Sequence, residues 1–216
     1  MFKGVLIDWG GVLTTGLAEA IDEWIEADRI DASHYRDVMR ELVLHAYEGA
    51  QDGENPIHAL ERGEIETLVF ERDLAARLVT LDGVPPAAEG LLTRMFAGFR
   101  RIEPMYDMLR AMRAEGVRTC LLSNSWGNEY PREGWDETFD AIVISGEIGM
   151  RKPEPRIFEH ALGVLGVEGR QCVFVDDIEA NIVAAGTLGI TGVHHRDHAV
   201  TIPHLESLFG FPLRTP

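Results

Sequence analysis

Five short runs of β-branched and aliphatic residues punctuate the chain, and none alternates apolar with polar. They are Val5–Ile7, Thr119–Leu122, Ala141–Ile144, Cys172–Val175 and a weaker run from Thr191 to His195. A strand with one wet face alternates; runs this uniformly apolar belong to strands covered on both faces. Helical spacing fills the intervals. Met105, Leu109 and Met112 share one face of a helix over Met105–Glu115, stopped by Gly116. Ile157–Leu165 and Ile178–Leu188 are similar helices, each running up to a glycine. This alternation predicts an α/β fold: a Rossmann-like, three-layer parallel sheet core with right-handed crossovers.

The stretch from residue 15 to residue 100 differs. It holds no convincing strand, while Ile21, Trp24 and Ile25, then Leu68, Phe70, Leu74 and Leu78, recur at helical spacing. Gly49–Pro56 and Asp82–Pro86 read as connecting turns. The predicted organisation is a core made of residues 1–14 and 101–216, interrupted by a small helical cap over 15–100. A length of 216 residues suits one core plus such an insertion.

Charge narrows the partners. A formal net charge of −16 repels a phosphate backbone, so no nucleic-acid role is expected. No uncharged stretch is long enough to span a bilayer, and the N-terminus lacks a signal-peptide core, so no membrane role is expected either. Cys120 and Cys172 lie inside apolar runs and read as buried thiols, which predicts a cytoplasmic protein. A monomer and a homodimer both remain open.

Ligands of open α/β sheets bind at the carboxyl ends of strands. Those ends carry Asp8, Ser123-Asn124 and Asp176-Asp177, with Arg151-Lys152-Pro153 a short loop beyond the third run. Each residue alone reads as a turn, a cap or a solvated charge. Together they place three carboxylates, a hydroxyl, an amide and a lysine in one crevice. Clustered carboxylates repel unless a cation sits among them, and oxygen ligands favour Mg2+ over zinc.

Four motifs in order resemble the haloacid dehalogenase superfamily: Val5-Leu6-Ile7-Asp8-Trp9-Gly10-Gly11-Val12-Leu13; Leu121-Leu122-Ser123-Asn124; Gly149 to Phe158, containing Arg151-Lys152-Pro153; and Val175-Asp176-Asp177-Ile178-Glu179-Ala180-Asn181. The helical insertion resembles that family's cap after the first motif. Asn55-Pro56 through Ile65 is locally similar to the cap of the phosphatase domain ahead of mammalian soluble epoxide hydrolase. The resemblance implies a magnesium-dependent phosphate monoester hydrolase acting on a small phosphorylated metabolite. Asp8 would form an aspartyl phosphate. Asp8, the Gly10 carbonyl, Asp176 and Asp177 would hold Mg2+. Ser123 would bind phosphoryl oxygens, and Lys152 would balance charge on Asp8 and substrate. Trp9, Gly10 and Asn124 would complete the substrate site, and Asn181 would support the ligands or cap the following helix.

One position departs from the family's phosphatases. They carry a second aspartate two residues after the nucleophile, which protonates the leaving group; here it is Gly10. The loss implies a good leaving group, a substitute acid, or a weak or inactive enzyme. Two alternatives therefore stand: a metal-independent 2-haloacid dehalogenase, and a non-catalytic phosphate-binding protein. The acidic pair Asp176-Asp177 argues against the first, and a retained Asp8 against the second. Trp24 and Trp135 read as packing residues, whereas Trp126 suits a pocket wall and surface packing equally. His45, Tyr47 and His58 are candidate cap contacts, and Thr14-Thr15-Gly16 a candidate hinge. His194, His195 and His198 read as a late strand and an exposed loop, the adjacent pair facing opposite ways.

Overall fold

The structure, a computed structural model, describes residues 1–47, 55–127 and 129–213. It begins with β1 (Gly4–Ile7), followed by five helices: α1 (Leu17–Ala27), α2 (Ala32–Tyr47), α3 (Pro56–Glu61), α4 (Thr67–Arg77) and α5 (Leu91–Met95). Then come α6 (Glu103–Ala114), β2 (Arg118–Ser123), α7 (Trp135–Thr138), β3 (Ala141–Ile144), α8 (Ser145–Ile148) and α9 (Pro155–Leu165). The chain closes with β4 (Cys172–Asp176), α10 (Glu179–Gly186), β5 (Thr191–His194) and α11 (His198–Phe209).

The five strands form one sheet in the order β3-β2-β1-β4-β5, every neighbouring pair parallel. Strand alternation divides the core into two layers. Val5, Ile7, Leu121, Val173 and Val175 pack with Met105, Met108, Leu109 and Met112 of α6 and with Ile202, Leu205 and Phe209 of α11. Leu6, Cys120, Leu122 and Phe174 pack on the opposite side, with Ile157, Phe158, Ala161 and Leu165 of α9 and Ala185 of α10. Both faces are covered, which is why these runs show no polar alternation.

The helices between β1 and α6 have an apolar cluster of their own, built from Trp24, Ile30, Tyr35, Phe70, Leu74, Leu91, Leu92 and Met95 among others. Asn55 starts α3: its Oδ1 accepts from the N–H groups of Ile57 (2.8 Å) and His58 (3.3 Å), while its Nδ2 donates to the Leu42 carbonyl (3.1 Å). The two crossings between this insertion and the sheet run side by side. Thr14 bridges Arg101, and the Thr15 N–H donates to the Arg100 carbonyl at 2.8 Å. Thr14-Thr15 thus belongs to a paired two-chain connection.

The C-terminal expectation needs correction. His198 is not in an exposed loop; it begins α11, whose Asp197 cap accepts from the Ala199 N–H at 2.7 Å. His195 is buried, its Nδ1 lying 2.9 Å from Thr201 Oγ1, whereas His194 is exposed. Pro203 interrupts the helical pattern in sequence, but Ile202, Leu205 and Phe209 still anchor the helix on the sheet. Among the described residues no helix is long and apolar enough to cross a membrane.

Candidate active site

Strand order sets the site. Because β1 lies between β2 and β4, its C-terminal Asp8 stands between Ser123 on one side and Asp176 on the other. The Asp8 N–H donates to the Val175 carbonyl at 3.0 Å, which extends the ladder and fixes the aspartate's height. Lys152 enters from the loop before α9 and is almost wholly enclosed, 1% exposed. Its Nζ lies 2.8 Å from Asp8 Oδ1 and donates to Asp176 Oδ2 at 2.7 Å.

Asp8 Oδ1 also accepts the Trp9 N–H at 2.7 Å, so both of these bonds land on one oxygen. Asp176 is held from several directions. Ile178 N–H donates to its Oδ1, Lys152 to its Oδ2, and Asn181 Nδ2 lies 3.1 Å from each oxygen. Asn181 is therefore a support for Asp176 from inside α10. Asp177 is the exposed member. Gly11, at φ +73°, passes so close to it that a Cβ there would collide with Asp177 Oδ2.

One carboxylate oxygen from each of Asp8, Asp176 and Asp177 can be chosen so that all lie within 4.8 Å of one another. Burial, with added repulsion from Asp176, pushes the Asp8 carboxyl up to about 7, and Lys152 only partly opposes this. Burial and Asp176 likewise raise Asp177. Burial works against the charge on Lys152, yet Asp176 and Asp8 more than offset it and hold its pKa above the ordinary lysine range. With all three carboxylates ionised, one ammonium would leave an excess of two negative charges, and burial, with that repulsion, is what raises Asp8 and Asp177. The donor set thus fits a hard divalent cation with oxygen ligands.

Ser123 is buried, its Oγ 3.0 Å from Tyr130 Oη. Asn124 faces the lysine loop instead: its Nδ2 donates to the Lys152 carbonyl at 3.0 Å, and its Oδ1 accepts the Lys152 N–H at 2.8 Å. Asp8, Trp9, Gly10, Ser123, Asn124, Lys152 and Asp177 all line one cavity of about 270 Å³. Asp176 lies behind them, fully buried. From the insertion, Leu17, Ile57, His58, Glu61, Phe96 and Phe99 close the cavity, with Trp126 and Tyr130 from beyond β2. Of the proposed cap contacts, His58 is a wall, while the side chains of His45 and Tyr47 lie outside the described residues.

Sequence reasoning missed the bridge over the cavity. Glu61 Oε2 accepts from Arg151 Nε at 2.5 Å, and its Oε1 from the Trp126 indole at 3.2 Å. Both partners of the ion pair are buried. Arg62 adds a bond to Glu154 at 3.1 Å, and Gly63 fits against α8, where a Cβ would come within 2.6 Å of the Gly146 carbonyl oxygen. Arg151 adjoins Lys152, so one loop grips the insertion and the acidic cluster at once. Glu61 and Arg151 are separated by 90 residues, and only Arg151's place beside Lys152 hinted at a role.

The fold and this convergence of charges define a class. The model of haloacid dehalogenase-like hydrolases matches residues 2–189, and the chain belongs to that family. It is 31% identical over 156 residues to the sesquiterpene phosphatase of Aspergillus oryzae, covering 69% of this chain and 77% of that one. It is 29% identical to bifunctional epoxide hydrolase 2 of Rattus norvegicus over 115 residues, 50% of this chain and only 21% of that protein's length. Among solved structures, a family enzyme from Bacteroides thetaiotaomicron in complex with magnesium and inorganic phosphate is similar in fold, with a TM-score of 0.65 at 22% identity, covering 91% and 95% of the two chains. The chain is thus a hydrolase of the phosphatase-like kind.

Proposed function

We propose that the protein hydrolyses phosphate monoesters of small metabolites, with Asp8 as nucleophile and Mg2+ as cofactor. The observation that carries this reading is the excess negative charge of Asp8, Asp176 and Asp177 around a single buried ammonium, Lys152. A metal-free displacement at carbon has no use for that excess, which weighs against a dehalogenase. A binding module has no use for a nucleophile poised beside it. The solved relative that holds magnesium and phosphate supports the same assignment.

Asp8 and Asp177, with the Gly10 carbonyl, would face the metal. Asp176, whose oxygens also accept from Lys152, Ile178 and Asn181, would complete the oxygen set directly or through a water. Bound there, the cation would neutralise phosphoryl oxygens and keep Asp8 ionised. Trp9 and Lys152 hold Asp8 Oδ1, which fixes the carboxylate's orientation for attack on phosphorus. Lys152 holds Asp8 and draws the substrate's negative charge into an acidic protein. Ser123, oriented by Tyr130, supplies a hydroxyl for a phosphoryl oxygen. Water then cleaves the aspartyl phosphate.

A screen of phosphate esters with and without Mg2+, on wild type and Asp8→Asn, tests this. Turnover that requires both Mg2+ and Asp8 is expected. Full activity in a chelator would contradict it.

A further inference from the structure

We propose that the ester's alcohol is a small aromatic one, a phenol-type leaving group seated against Phe96 and Phe99; this rests on the phosphatase reading above. Size comes first. The cavity of about 270 Å³ is small, which suits a phosphoryl group and one ring. That is below the ~300–1,000 Å³ of sites for larger ligands.

The walls come second. Phe99 and Phe96 stack at 5.5 Å and 11°, Trp9 meets Phe99 edge-on at 5.2 Å, and Trp126 meets Phe96 edge-on at 5.9 Å. Leu17 and Ile57 add aliphatic surface. Offset and edge-on ring packing are the geometries an additional ring adopts well. Glu61, the carboxylate at this end, is taken up by Arg151 and by the Trp126 indole. With His58 the polar wall on the insertion side and the rest of that side mostly apolar, a sugar or amino-acid group would leave most of its polar atoms against carbon.

The third observation concerns the leaving oxygen. A Cβ built on Gly10 would meet only Phe99 Cζ, at 3.8 Å. Where the family's acid would stand, the site presents an aromatic ring. The departing oxygen receives no proton from residue 10, which favours a leaving group that is stable as an anion. A phenol, with a pKa of ~10, meets that condition far better than an alcohol, whose pKa is close to the ~15.7 of water.

The chemistry balances. An Asp8 oxygen bonds to phosphorus, the ester P–O bond breaks, and its electron pair leaves on the phenolate, which takes a proton from solvent. Water then attacks phosphorus, releasing phosphate, the Asp8 carboxylate and a proton.

Kinetics of the Mg2+-loaded protein on phenyl, cyclohexyl and acetyl phosphates test the proposal in wild type, Phe99→Ala and Phe99→Leu. Phenyl should exceed cyclohexyl phosphate by about 100-fold or more in kcat/KM. Phe99→Ala should raise KM for phenyl phosphate about tenfold, with Phe99→Leu between, while KM for acetyl phosphate, which has no ring, changes less than about twofold. Comparable rates on phenyl and cyclohexyl phosphate, or equal KM changes on phenyl and acetyl phosphate, would overturn the aromatic assignment and leave the phosphatase reading intact. Failure of folded wild type to turn over even acetyl phosphate would overturn both.

Discussion

Asn124 and Lys152 hold each other by a reciprocal pair of hydrogen bonds: the amide nitrogen donates to the lysine's carbonyl at 3.0 Å, and the lysine's N–H donates back at 2.8 Å. The pair ties the end of β2 to the loop that carries the ammonium between Asp8 and Asp176. Asn124 acts on the backbone of Lys152 and leaves its Nζ to the carboxylates.

Replacing Asn124 by Ala should therefore misplace Lys152 without removing any charge. The expected result is a kcat about 10- to 100-fold lower, with folding retained. Steady-state kinetics on phenyl phosphate, with circular dichroism for the fold, check it. Unchanged kcat would mean that the lysine loop holds its shape without this clamp.

The buried pair Glu61–Arg151 predicts asymmetric effects. Glu61→Ala leaves a largely buried guanidinium without its carboxylate at the cavity wall and should cost up to about 3 kcal/mol. The double variant Glu61→Met with Arg151→Met should be more stable than either single methionine variant, because no lone charge remains. Denaturant unfolding of wild type, Glu61→Ala, the two single methionine variants and the double variant measures this. Simple additivity of the two single effects would show that the charges do not interact.

Gly10 can be given back an acid. The space ahead of it holds only Phe99 Cζ within 4 Å, and its backbone is not in the left-handed region, so Asp should be accommodated. Gly10→Asp should raise hydrolysis of alkyl phosphates at least about tenfold, with a much smaller change for phenyl phosphate. Equal changes for both would show that proton supply does not limit the alkyl esters.

How much of this was legible in the sequence follows the range of the interactions. Strand runs are local, so all five strands were readable; polar residues at their ends pointed to Asp8, Asp176 and Asp177, and the basic segment beyond the third run to Lys152. The charge excess needed only their types. What escaped was long-range or irregular. Tyr130 sits in a segment without periodicity, and nothing in sequence points it at Ser123. Glu61 finds Arg151 only through the way α3 lies on the lysine loop. Phe96 and Phe99 read as ordinary apolar residues until the insertion folds over the cavity. Asn124 read as a substrate contact, yet its amide is taken up by the Lys152 backbone. α11 was missed because the histidines drew a strand-and-loop reading, while the helix, with Pro203 inside it, is held by Ile202, Leu205 and Phe209 packing on the sheet.

His195 makes a pH prediction. Burial lowers its pKa below the ordinary histidine value. The unfolded chain then takes up a proton before the folded one does, so stability is full above the ordinary histidine pKa and falls as pH drops toward the lowered one. His195→Gln should lose less stability than wild type between pH 7.5 and pH 5, windows set by the ~6.5 of unperturbed histidine. Unfolding midpoints across that range give the comparison. Parallel curves would show that His195 does not titrate on unfolding.

The central claim is that Asp8 itself receives the phosphoryl group. Rapid acid quench of the protein turning over phenyl phosphate, followed by mass spectrometry of its peptides, reads this directly. The account predicts a phosphorylated peptide containing Asp8, present with Mg2+ and absent in its absence and in Asp8→Asn. Steady turnover by Asp8→Asn at the wild-type rate, or phosphate found on another residue, would contradict it.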